Sequence, residues 1–242
     1  MTSPDAAQLY AVTEATWPPA RRWRFGPWMI REGLGGGQRV SAATREDEFT
    51  ASAISQAEQA MDQLGQPRLF MIRAGDEALD AELDARGYRI KDPVLQYTAA
   101  VELLTLETPP PIATFAIWPP LAIMTELWAQ GGIGPGRINV MNRVEGAKTA
   151  ILSRQADRAA GCAFVAVAGD VAMIHAIEVA ERSRRQGAAR NILRAAALWA
   201  GENGARHLSL IVTAANDAAN ALYSRMGMTP VGRYHYRIKN PD

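Results

Sequence analysis

The stretch Ile177-Glu178-Val179-Ala180-Glu181-Arg182-Ser183-Arg184-Arg185-Gln186-Gly187-Ala188-Ala189 decides how this chain folds. It closes the apolar, β-branched run VAMIHAIEV at 171–179, which reads as a strand. It also opens a segment in which Ala189, Ile192, Leu193, Ala196 and Ala200 recur at helical spacing. A strand that passes through a glycine-containing loop straight into a helix leaves backbone N–H groups unpaired at the positive end of the helix dipole. A pyrophosphate can be cradled there. Gly187 permits close approach, Ala188 and Ala189 keep the first turn thin, and Arg182, Arg184, Arg185 and Arg190 ring the loop with positive charge. Arginines also decorate plain solvated helix starts, so the loop alone leaves the chemistry open.

Outward from this loop the punctuation is regular. Upstream, 148–155 (KTAILSRQ) and 161–168 (GCAFVAVA) read as strands around the polar turn at 156–160, giving an antiparallel meander with 171–179. Downstream, Gly204 stops the helix, 206–213 (RHLSLIVT) alternates as a strand, and a second helix runs from about Asn216 to Met226. That helix carries Ala219, Leu222, Tyr223 and Met226 on one face and ends at Gly227; a last strand or hairpin contains Tyr234 to Ile238.

Two of these segments resemble motifs of the GNAT acetyltransferase superfamily. Residues 177–189 are similar to its motif A, in which Arg or Gln is followed by two residues, Gly, one residue, then Gly or Ala; here these are Arg184, Gly187 and Ala189. Residues 216–228 are similar to motif B, with Asn216, Tyr223 seven residues on, and Gly227 four further. The resemblance covers about 112–242 well and the first half weakly. It implies an α/β (α+β) fold of two GNAT-like domains, each a mixed, mostly antiparallel twisted sheet flanked by helices, and acetyl-CoA as co-substrate. It places pantetheine between the strands at 171–179 and 206–213, against backbone groups of Ile177 and Val179, with the pyrophosphate on the loop from Arg184 through Gln186, Gly187, Ala188 and Ala189 to Arg190. It further implies cofactor contact by Asn216, with Ala219 and Tyr223 along the same helix, and Tyr223 as general acid toward the departing thiolate. Seven residues are close to two helical turns, so Asn216 and Tyr223 share a face.

An amine acceptor is mostly protonated at neutral pH and needs a base before it can attack a thioester. Glu178 is the first choice and His175 the second; strand alternation predicts that they face opposite sides of the sheet. Some relatives carry Glu on the later strand, where this chain has Ile211. His235 either lines the acceptor pocket or sits on an exposed edge strand. Cys162 lies in an apolar run and reads as a packed thiol, which favours direct transfer in a ternary complex over an acyl-cysteine.

The first half repeats the second in outline. The helical pattern Ala53, Ala57, Ala60, Met61, Leu64 ends at Gly65, a strand spans 68–73, and another helix ends at Gly87. Gly65 and Gly87 lie 22 apart, Gly204 and Gly227 lie 23 apart, and an internal duplication is the economical reading. A proline-rich seam at 108–111 and 118–120 divides the chain into 1–107, a degenerate copy, and 112–242, the catalytic domain. In the copy, Asp76 and Leu83 stand where Asn216 and Tyr223 should, and the acidic stretch 45–50 would repel a pyrophosphate. Gly35 to Gly37 reads as a hairpin turn between strands at 28–31 and 39–43.

Composition narrows the rest. Of 242 residues 48% are hydrophobic and 21% charged, with a formal net charge of +1, which argues against a nucleic-acid surface. One cysteine excludes an internal disulfide and a cysteine-built metal site. The first ten residues carry no basic-then-apolar leader and no apolar run reaches membrane-spanning length, so a cytoplasmic, membrane-free protein is expected. The expected partner is a small-molecule, amino-acid or peptide amine, with a homodimer possible. A non-catalytic acyl-CoA-binding scaffold is the competing reading, and a different acyl donor stays open.

Overall fold

The computed structural model describes residues 2–239. Helix α1 (Ala6–Thr16) opens with a capping box: the Asp5 carboxylate accepts from Gln8 N at 2.8 Å and the Gln8 side chain accepts from Asp5 N. Strands β1 (Arg21–Phe25), β2 (Trp28–Glu32) and β3 (Thr44–Arg45) form a small antiparallel sheet. Then come α2 (Ala51–Gln63), β4 (Arg68–Ile72), α3 (Glu77–Ala85), β5 (Arg89–Ala100) and the one-turn α4 (Val101–Leu104). Beyond the proline seam lie β6 (Thr114–Ile117), α5 (Ala122–Gln130), α6 (Pro135–Arg143), β7 (Lys148–Gln155), β8 (Arg158–Ala168) and β9 (Val171–Val179). The chain finishes with α7 (Ala188–Glu202), β10 (His207–Thr213), α8 (Asp217–Arg225) and β11 (Thr229–Lys239). No described helix is long and apolar enough to cross a membrane.

The main sheet has eight strands in the order β4-β11-β5-β10-β9-β8-β7-β6, antiparallel throughout except for β9 beside β10. Helix α7 buries Ile192, Leu193, Ala196 and Ala200 on this sheet, as its periodicity predicts, and Ala197 with them, while Ala189 stays half-buried. Burying Ile192 and Leu193 alone contributes about 3–6 kcal/mol.

The helix ends of the two halves share one geometry. Helices α2, α3, α7 and α8 each finish on a left-handed glycine: Gly65 (φ +64°), Gly87 (+80°), Gly204 (+84°) and Gly227 (+80°). Each is followed by the same six-to-one backbone bond, Gln66 N to Met61 O, Tyr88 N to Leu83 O, Ala205 N to Ala200 O and Met228 N to Tyr223 O. The two α-β-α-β runs are interlocked: β5 lies between β10 and β11, and β11 lies between β5 and β4. Each half therefore places its last strand between the last two strands of the other. Helix α1 packs on β8 and β9, and Trp17 and Val40 join the core formed by α5, α6 and β8.

Two local expectations need correction. Residues 39–43 do not form a strand; Gln38–Val40 make a single 3-10 turn, and only Thr44 and Arg45 pair with β2. Nor do Gly35 to Gly37 make a tight hairpin turn. They lie against α6, where a Cβ on Gly36 would be 2.5 Å from Val140 and a Cβ on Gly136 would be 2.5 Å from the Gly35 carbonyl. Second, His175 and Glu178 face the same side of the sheet. Phe164 pairs with His175 and Cys162 with Glu178, so three steps on β9 oppose two on β8. The extra residue is a bulge at Ala176 (φ +51°), which reverses the alternation.

Candidate active site

Strands β9 and β10 pair from Val171/His207 to Ile174/Leu210 and then part. Strand β9 runs on to Val179 and β10 to Thr213, so their facing backbone edges beyond the parting line a cleft. Its cavity of about 370 Å³ is bounded by residues 174–177 and 210–213, by Asn216 and Tyr223 of α8, and by residues 36–39 from the first half.

At the outer end of β9 the chain makes a 3-10 turn at Glu181–Ser183, passes Arg185 (φ +61°), and enters α7 through Gly187 (φ +90°). No side chain caps this helix, and its first backbone bond is Asn191 N to Gly187 O, so the N–H groups of Ala188, Ala189 and Arg190 have no intrahelical acceptor. The positive φ at Gly187 is one that L side chains rarely adopt. Gln186 shapes the loop by donating to Arg182 O at 2.8 Å. Arg182 donates to Ala159 O and Arg184 to Val179 O, whereas exposed Arg185 and Arg190 make no ion pair among the described residues. These unpaired groups suit an anionic phosphate group.

At the inner end, Asn216 caps α8 by accepting from Ala219 N at 3.1 Å. Tyr223 follows two turns later, 7% exposed, its ring 5.7 Å from that of Tyr97. Burial, reinforced by Tyr97, pushes its phenol up to about 12, so the proton stays on at any working pH. Among the described residues its hydroxyl has no hydrogen-bond partner. Ile177, Asn216 and Tyr223 thus meet at one cleft, while Ala219 packs half-buried beneath it.

The other titratable candidates go elsewhere. His175 is buried, with Arg39 Nη1 at 3.0 Å from Nδ1 and Thr16 Oγ1 at 2.9 Å from Nε2. A guanidinium can only donate, so Nδ1 accepts and the ring proton sits on Nε2, donating to Thr16, whose own hydroxyl donates to Val12 O. Burial and the Arg39 charge hold the ring well below its ordinary range, neutral and with its lone pair occupied. Glu178 lies outside the cleft lining, against Gly131 at the end of α5 and 3.8 Å from Arg184. Burial raises its carboxyl, partly offset by Arg184. His235 is no pocket residue and no edge residue: its Nε2 is 2.8 Å from Asp80 Oδ1, and β11 is an interior strand. Cys162 is a packed thiol whose Sγ donates to Met124 O, with its pKa pushed up by burial and by Glu178.

In the first half, Asp76 takes the helix-start position, 3% exposed and bound by Arg45 Nε at 2.8 Å and Arg73 N at 2.9 Å. Leu83 is fully buried. Sequence reasoning missed Trp17, Gly36, Gly37, Gln38, Arg39, Asp92 and Arg137, all on the cleft wall. They come from distant segments without a shared motif, and only the interlocked topology brings them to this cleft.

Residues 135–228 match the Acetyltransferase (GNAT) family. The chain is 27% identical, over 97% of its length and 99% of the relative's, to a Bacillus subtilis (strain 168) protein described as the uncharacterized N-acetyltransferase YobR. Among solved structures it is similar to a GCN5-related N-acetyltransferase from Kribbella flavida, with a TM-score of 0.69 and 19% identity over 98% of this chain and 96% of that one. It also resembles a tandem GNAT protein from the clavulanic acid biosynthesis pathway, with a TM-score of 0.62 and 14% identity over 100% of this chain and 91% of the other.

Proposed function

We propose, on the premise that residues 135–228 form a GNAT-family acetyltransferase domain, that the chain transfers an acetyl group from acetyl-CoA to a primary amine by direct attack in a ternary complex. In this reading 112–242 is the catalytic domain and 1–107 a degenerate copy that supplies β5 and a wall of the acceptor pocket. The observation that carries the reading is the parting of β9 from β10 at Ile174/Leu210, with an uncapped helix start at one end and the unengaged Tyr223 hydroxyl at the other.

The thioester arm lies along the freed edge of β9, at Ile177 and Val179, while the N–H groups after Gly187 hold the pyrophosphate and Arg185 and Arg190 add charge. Asn216 closes the opposite wall. The amine nitrogen bonds to the acetyl carbon, the carbon–sulfur bond breaks, and the Tyr223 hydroxyl gives its proton to the departing sulfur. Two carboxylates are available to take the amine proton: Glu178 on the strand itself, through water, and Asp92 on the cleft wall. Parallel Glu178→Gln and Asp92→Asn variants separate them by the acidic limb of kcat/KM.

The test is isothermal titration with acetyl-CoA of the native chain, Gly187→Glu and Tyr223→Phe. One equivalent bound by the native chain, lost in Gly187→Glu and kept in Tyr223→Phe, is the expected result. No binding by the native chain overturns the acetyl-transfer reading.

A further inference from the structure

Two guanidiniums on the cleft wall lack a counterion. Arg39 comes from the 3-10 turn at 38–40 and Arg137 from the first turn of α6; both are half-buried, and neither makes an ion pair among the described residues. By contrast Arg31, Arg45 and Arg73 are each paired with a carboxylate, and Arg143 at the far end of α6 is held by the Pro18 carbonyl. Arg39 is fixed in place, donating Nη1 to His175 at 3.0 Å and lying over the Trp17 ring at 5.9 Å from its centroid. Arg137 is packed beside the loop, where a Cβ on Gly37 would be 3.3 Å from its Nε. Burial first, and the Arg39 charge second, hold Arg137 below the usual arginine range.

Resting on the acetyl-transfer reading above, we infer that the amine acceptor carries one carboxylate, and that Arg39 and Arg137 bind it at the inner end of the cleft. The planar fork of a guanidinium matches a carboxylate in two parallel hydrogen bonds. The anion is not the cofactor's pyrophosphate. Arg39 touches His175, and the phosphate loop begins only after Ala180, five residues and up to about 17 Å further along β9. Charge selects a monoanion. The cleft lining carries these two guanidiniums and one carboxylate, Asp92, which accepts from Gln38 Nε2 at 2.6 Å and makes no ion pair with either arginine, and His175 is neutral; the lining is left with a single net positive charge to be matched.

The experiment measures acetylation by the full chain of the twenty common amino acids, β-alanine and 4-aminobutanoate, each beside its carboxamide, with 2-aminoethyl phosphate as a dianionic control. Acetyl-CoA binding is titrated in parallel on the native chain, Arg137→Gln and Arg39→Lys. A carboxylate acceptor favoured at least ten-fold in kcat/KM over its amide is expected. In Arg137→Gln that preference collapses through KM, the acid losing more kcat/KM than its amide, while acetyl-CoA still binds. Arg39→Lys keeps the charge but loses the fork, and retains part of the preference. Amides that react as well as acids, a ten-fold preference for the phosphate, equal losses on acid and amide in Arg137→Gln, or acetyl-CoA binding without acetylation of any carboxylate-bearing amine each overturn the inference alone. Failure of the native chain to bind acetyl-CoA removes the reading beneath it as well.

Discussion

The two halves of the chain set the same scaffold to different ends. In the second half, β9 and β10 part and groups around the opening are left open: the N–H groups after Gly187, the Tyr223 hydroxyl and Arg137, which makes no ion pair among the described residues; Arg39 of the first half joins them at the cleft wall, held by His175 but likewise without a carboxylate. In the first half, the counterpart of that parallel pair is a single bridge between Ala43 and Phe70, and the polar groups around it are consumed. Arg45 and Arg73 both hold Asp76, Arg73 also holds Glu46, and Leu83 fills the place of Tyr223 with buried hydrocarbon. Around the Ala43–Phe70 bridge the charged side chains pair with one another, whereas around the β9–β10 cleft they are left without carboxylate partners among the described residues.

The largest expected break in this comparison comes from paired substitutions at the two helix starts. Gly187→Glu forces a left-handed residue and a negative charge onto the phosphate loop and should weaken acetyl-CoA binding more than 100-fold, read by titration. Thr50→Glu, at the exposed start of α2, should leave that binding unchanged. Next, Tyr223→Phe should lower kcat about 10²–10⁴-fold with the melting temperature held, the range for loss of a general acid. Its counterpart Leu83→Ala should do the opposite, costing about 2–5 kcal/mol of stability by denaturant unfolding while kcat stays. Smaller again, Asp76→Ala strands two partly exposed arginines and should cost about 2–3 kcal/mol. Asn216→Ala removes an exposed cap and should cost about 0.5–1 kcal/mol of stability.

Much of the second half was legible because its signals are local. The strands at 148–155 and 171–179, the α7 stripe, the glycine stops and the loop at 184–190 depend on neighbours in sequence. Helix α1 carries a local signal too, the Asp5-x-x-Gln8 capping box. What stayed hidden is non-local or backbone-encoded. Nothing in VAMIHAIEV marks Ala176 as the residue of positive φ that turns His175 and Glu178 to one face. Arg39 and Arg137 are nearly a hundred residues apart and carry no spacing; only the interlocking of β5 and β11 and the packing of Gly36 on Val140 bring them to one wall.

The smallest predicted effect sets one carboxylate from each half against the other. Glu178 has its pKa raised, first by burial, so the folded state holds its proton more tightly than the unfolded chain. Its contribution is present below the ordinary Glu range and lost as pH rises through the raised value, so stability should sag slightly above about pH 4.5. Asp80 on α3 is lowered, first by the hydrogen bond from Arg237 and also by His235, despite some opposing burial. Its contribution is present above the ordinary Asp range and lost as pH falls through the lowered value. Denaturant unfolding across the acid range should therefore show Glu178→Gln abolishing the sag and Asp80→Asn flattening the acid decline. The kinetic profile adds the deciding contrast. If Glu178 takes the amine proton, Glu178→Gln also lowers kcat/KM and moves its acidic limb; if the limb stays put, the proton leaves by Asp92 and Glu178 serves only to hold Arg184 beside the phosphate loop.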